Sequence, residues 1–88
     1  MDVEIIMPLE GMYTVVVDKE QYILNPCDFI MIPPGVMHEL FAPPSGKRLI
    51  VQCDNSLLNG LVGIDSLAKD SIRVYSAVRL IRLSITST

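Results

Sequence analysis

Asp28-Phe29-Ile30-Met31-Ile32-Pro33-Pro34-Gly35-Val36-Met37-His38 is the stretch on which the reading of this chain turns. Phe29 to Ile32 is a short apolar run with a β-branched residue at every second or third place, as a strand requires. Two prolines then end it, because each removes a backbone donor from the ladder, and Gly35 supplies a residue free to adopt positive φ. His38 to Phe41 resumes an extended run. The pattern is strand, enforced turn, strand, with the only histidine of the chain at the start of the second strand.

Outward from that stretch the same rhythm repeats. Val3 to Leu9 is apolar and β-branched with Glu4 as its one charge, and Glu10-Gly11 marks a turn. Met12 to Val17 and Gln21 to Leu24 flank the tight polar connection Asp18-Lys19-Glu20 and read as a hairpin. Asn25-Pro26-Cys27-Asp28 is a turn by its chemistry, since Asn and Asp bond their own backbone and Pro fixes φ. Ala42 to Lys47 is a loop, and Arg48 to Cys53 a further strand. Six short strands at regular spacing predict an all-β sandwich or barrel rather than alternating strands and helices. After Asp54 the character changes. Asp54-Asn55-Ser56 can cap a helix beginning at Leu57-Leu58, and Asp65-Ser66 can start a second short one through Lys69. From Arg73 onward helix and strand periodicities fit equally well. The chain reads as a single domain, 1–88, with its β-module over 3–54 and a C-terminal extension over 55–88.

The bulk properties bound the function. A length of 88 residues allows one modest core. Half the residues are hydrophobic and mean hydropathy is +0.43, which excludes a disordered chain and predicts that some apolar surface packs against another copy. Net charge is −3 and the isoelectric point is about 4.8. The seven Lys and Arg are scattered rather than gathered on one face, so direct binding of DNA or RNA by this chain is not expected. Cys27 and Cys53 form no metal-type pair and are expected as reduced thiols in or near the core. No signal peptide is read at the N-terminus, and no apolar run is long enough to span a bilayer. The expected location is cytoplasmic.

Two motifs carry a family resemblance. The strand running into Pro33-Pro34-Gly35-Val36-Met37-His38 resembles the second cupin motif, P-x-G-x-x-H. Glu4, seven positions before Gly11, is similar to the end of the first cupin motif. The stretch from Glu10 through Leu58 also resembles the N-terminal ligand-binding domain of AraC-type transcription regulators. The resemblance implies a small, jelly-roll-like antiparallel β-barrel, incomplete and truncated at its N-terminus, followed by a short helical C-terminal segment. Metal-binding cupins carry H-x-H upstream of the Glu, a stretch that would fall before Met1. Cys27 stands where that family has Gly, and Ala42 where it has Asn. Glu4 and His38 alone match its ligand positions, too few donors to hold a divalent ion tightly. A metal cofactor is therefore not the expectation, although Glu4 and His38 remain the metal candidates.

The candidate ligand-binding residues are His38, Glu4, Tyr13, Tyr22 and Met37. His38 can ligate a metal, donate to a ligand, or pair structurally with Glu4. By strand alternation Glu4 shares a face with Ile6, opposite Val3 and Ile5. Tyr13 and Tyr22 lie on paired strands, either touching across them or contacting a ligand. Met7, Met12, Met31 and Met37 read as core filler, with Met37 alternatively at a cavity mouth. No catalytic set of residues is found. The expected function is binding of a sugar-like small molecule, as in the effector-sensing half of an AraC-type regulator. Its DNA-binding part needs about a hundred residues of its own. The alternatives are a metal-dependent isomerase or dioxygenase of cupin type and a ligand-free dimerisation module. A homodimer is expected in each case.

Overall fold

The protein's structure, a computed structural model, describes residues 2–54, 56 and 72–78. These form seven strands: β1 (Asp2–Glu10), β2 (Tyr13–Val17), β3 (Glu20–Leu24), β4 (Asp28–Ile32), β5 (Glu39–Phe41), β6 (Lys47–Asp54) and β7 (Val74–Ser76). The six strands read from the sequence correspond to β1 through β6, with no end moved by more than one residue. The protein is all-β among the described residues. The expected barrel is not closed. The strands form two antiparallel sheets, one of four strands in the order β6-β1-β4-β7 and one of three in the order β3-β2-β5.

β1 organises the four-stranded sheet. It pairs with β4 through Glu4 opposite Ile32 and Ile6 opposite Ile30. On its other side it pairs with β6 from Asp2 opposite Asp54 to Glu10 opposite Lys47, with a register shift between Pro8 and Glu10. Pro8 cannot donate to a ladder, and the irregularity beside it is where a central strand accommodates a proline. The hairpin of β2 and β3 turns through Asp18 and Lys19, both at positive φ (52° and 70°). That is the two-residue connection whose twist matches the flanking strands.

Alternation along the strands separates two apolar clusters. Ile6, Tyr13, Val15, Val17, Leu24, Ile30, Ile32 and Ile72 form the larger one, between the sheets. Val3 and Met31, with Ile5, Phe29, Cys53 and Tyr75 against them, form the smaller one on the other face of the four-stranded sheet. Glu4 and Ile6 share a face, as the alternation predicts, and the packing of Ile6 and Ile32 makes it the inner one.

The C-terminal reading is corrected in part. Residues 74–76, ambiguous in sequence, form a strand because β4 offers an edge: Asp28, Phe29 and Ile30 pair with Ser76, Tyr75 and Val74. The Phe29 and Tyr75 rings stack with centroids 5.2 Å apart, and the Arg73 guanidinium lies 5.0 Å from the centroid of Tyr75. Such contacts stabilise a short edge strand that pairing alone would leave marginal. Asp54 bonds locally to Ser56. Its Oδ1 accepts from the Ser56 hydroxyl at 2.7 Å and the Ser56 amide at 2.8 Å, and these bonds hold its carboxyl below the usual aspartate range. The helices expected over 57–69 lie outside the described residues.

The turn before β4 carries measurable strain. Asp28 N donates to Asn25 O at 2.9 Å, and Asn25 N donates to Asp28 Oδ2 at 3.0 Å. Pro26 and Cys27 occupy the centre, with Cys27 at φ 72°, the left-handed position of a type II turn that glycine fills best. Cys27 is exposed rather than in or near the core, because the turn carries it away from the sheets. Cys27→Gly is expected to raise stability by about 0.5–1 kcal/mol, the left-handed penalty less the entropy glycine adds to the unfolded chain. Urea midpoints of the two proteins measure this, and a lower midpoint for the glycine variant would contradict it.

Candidate functional site

The site is built where β1 meets the turn that follows β4. Glu4 lies on the inner face of β1, flanked by Ile32 on β4 and Gln52 on β6. His38 is delivered by the Pro33–Val36 turn. Val36 N donates to Pro33 O at 3.3 Å, Pro34 and Gly35 take its centre, and Gly35 has φ 77°, the type II geometry that glycine in third place permits. The chain then enters β5, whose Leu40 packs against the inner core. His38, two residues earlier, shares that face by alternation.

The two side chains meet. His38 Nε2 lies 3.5 Å from Glu4 Oε2, with the side chains 20% and 25% exposed. His38 Nδ1 lies 3.1 Å from Val36 O. A carbonyl only accepts, so Nδ1 carries the hydrogen and donates to it. In the neutral ring Nε2 then presents a lone pair toward a carboxylate that also only accepts. Two acceptors facing each other at the margin of an apolar core are stabilised by a donor between them. A proton on the imidazole supplies one, and so does a hydroxyl or amine of a bound molecule.

The other candidates fall elsewhere. Tyr13 is fully buried and its Oη has no hydrogen-bond partner among the described residues. It packs against Gly46, where an added Cβ would come within 2.8 Å of the ring carbon Cζ, and the Arg48 guanidinium lies 5.9 Å from its ring centroid. Arg48 is opposite Pro8 on β6, four residues from Gln52, so Tyr13 closes the end of the inner face remote from Glu4. Tyr22 is half-buried against the inner core, but β3 and β5 are opposite edges of their sheet, so Tyr22 and His38 are separated by β2. The two tyrosines are not directly paired: Tyr13 is opposite Leu24, and Tyr22 is opposite Val15. Met37 is 90% exposed, since it precedes His38 and alternation turns it outward. Met12 is likewise exposed, whereas Met31 is buried, so the reading of the methionines as core filler holds for Met31 and fails for Met12 and Met37.

Gln52 and Ile50 were not singled out in the sequence. Ile50 is opposite Ile6 and Gln52 opposite Glu4, which puts both on the face that carries the pair. The alternation of Arg48 to Cys53 held that information only once the β1–β6 register was known.

The described residues contain no group of three or more His, Cys, Asp or Glu placed to hold a metal ion. Glu4 and His38 are two donors, and two do not make a centre that holds a divalent ion tightly. No described helix is long and apolar enough to cross a membrane. No family model matches the sequence. Comparisons with curated proteins and with solved structures found no match either.

Proposed function

We propose that this chain is a binding module for a small polar molecule, with Glu4 and His38 as its polar anchor and the apolar inner face as its wall. The observation that carries the reading is the 3.5 Å approach of Nε2 to a carboxylate oxygen while Nδ1 is committed to Val36 O. A ligand hydroxyl donating to one acceptor, with a second donor for the other, satisfies both. A sugar has adjacent hydroxyls of that kind and an apolar ring face for Ile50, which is exposed on the same face. The resemblance of the Glu4–Gly11 spacing and of the Pro33–His38 motif to cupins, and of the chain to AraC-type effector domains, supports the same reading. On that reading any regulatory output needs a DNA-binding part besides the β-module.

Thermal unfolding in a panel of sugars and polyols tests the proposal. A ligand present at about a hundred times its Kd stabilises the folded state by about 2.7 kcal/mol. The expected result is a raised midpoint in wild type that is lost in both His38→Ala and Glu4→Gln. No shift with any sugar, or an equal shift in the variants, overturns it. Metal content measured on the same preparations decides against the enzyme alternative or for it. Near-stoichiometric metal that His38→Ala removes would replace the sugar reading with a metal-dependent one.

A further inference from the structure

β6 is the longest exposed edge among the described residues. Of the four edge strands, β5 and β7 have three residues each and β3 has five, whereas β6 has eight, seven of them exposed. Exposed edges are ordinarily protected by brevity, proline, a bulge or a central charge. β6 has none of these at its centre, where Leu49, Ile50 and Val51 are 45%, 41% and 40% exposed. Its charges sit at its ends: Lys47 and Arg48 at one, Asp54 at the other.

That distribution is complementary to itself when reversed. A twofold axis perpendicular to the sheet lays β6 antiparallel to a second β6, and the faces match only when residues of like parity are opposed. Centring the axis on Val51 brings Arg48 opposite Asp54 of the second copy, and Leu49 opposite Cys53 of the second copy. Ile50 then faces Gln52 of the second copy, and Val51 faces its own equivalent. Each dimer gains two Arg–Asp pairs on the inner faces and a continuous apolar row on the outer ones. We propose that this chain forms a homodimer by β6–β6 pairing in that register. Two four-stranded sheets then become one sheet without the exposed edge. The Leu49, Val51 and Cys53 row continues the face that already carries Val3, Ile5 and Met31. This proposal does not depend on ligand binding, and either stands if the other fails.

Light scattering on the full chain, with disulfide trapping, tests it. The expected mass is twice 9.8 kDa. Val51→Lys opposes two like charges on the axis and is expected to weaken association by about tenfold or more while circular dichroism stays unchanged. Arg48→Glu, which faces Asp54 of the second copy with a carboxylate, is a second variant at an exposed position with the same expected outcome. In a Cys27→Ser/Cys53→Ser background, Val51→Cys is expected to form a covalent dimer under mild oxidation. Directly opposed residues lie about 5 Å apart, within disulfide reach. Leu49→Cys in that background holds the two thiols about 13 Å apart and is not expected to crosslink. A monomeric wild type, a dimer that resists both charge variants, or trapping at 49 in place of 51 overturns the proposal.

Discussion

Ile6→Ala is expected to lower the free energy of unfolding by about 3 kcal/mol, within the range for truncating a buried aliphatic side chain. Ile6 is completely buried at the centre of β1, opposite Ile30 on one side and Ile50 on the other, and it belongs to the cluster that holds the two sheets together. Removing its branched end deletes transfer energy and leaves a void that β-sheet backbones on both sides cannot collapse to fill. A domain of this size has a total stability of about 4–13 kcal/mol, so this single change consumes a large part of it. Ile23 on β3 is 46% exposed and serves as the control, with Ile23→Ala expected to cost less than about 1 kcal/mol. Urea unfolding of the three proteins at one concentration measures both. Equal losses at the two positions would mean that the sheets do not pack through Ile6.

Gly11→Ala is expected to cost about 3 kcal/mol by two additive routes. Gly11 has φ 86°, a conformation that costs an L-residue about 1–2 kcal/mol. A Cβ there would also lie 2.6 Å from Pro43 Cγ, and relieving such a contact in packed structure costs about 1–3 kcal/mol. A double-mutant cycle separates the routes. Pro43→Ala removes the ring, so Gly11→Ala in that background is expected to retain only the backbone cost, about 1–2 kcal/mol. Equal costs in the two backgrounds would show that Pro43 is not the obstacle. The result bears on the Glu4–Gly11 spacing as well. Glycine is required where β1 gives way to β2 because the backbone turns left-handed there and the 42–46 loop closes over it.

The strands were legible in the sequence because short apolar runs alternate with residues that force turns. Pro33-Pro34-Gly35 and Asn25-Pro26-Cys27-Asp28 act locally, through fixed φ, absent donors and side chains bonding their own backbone, so their effect is readable without knowing what lies across the sheet. That Glu4 shares a face with Ile6 was legible for the same reason, since alternation is a property of one strand, whereas alternation alone left that face either cavity-lining or solvent-facing. The barrel was not. Whether seven strands close or divide into two sheets depends on which edges find partners, and edge pairing is non-local. The strand at 74–76 was ambiguous because Val74, Tyr75 and Ser76 have no decisive periodicity, and β4 supplied the partner.

Sequence alone was enough to place β1 to β6 and the turns between them, to put Glu4 and His38 among the polar candidates, and to give an acidic composition with Lys and Arg scattered along the chain. The pairing between strands is what brings Glu4 and His38 together and leaves Tyr13 and Tyr22 away from them, puts Gln52 and Ile50 on their face, and leaves β6 as a long exposed edge among the described residues. Those outcomes depend on register between strands distant in sequence. Shifting a pairing by one residue turns every side chain to the opposite face at little cost in backbone hydrogen bonds. The register is therefore set by packing across both sheets together, which no single stretch of chain contains.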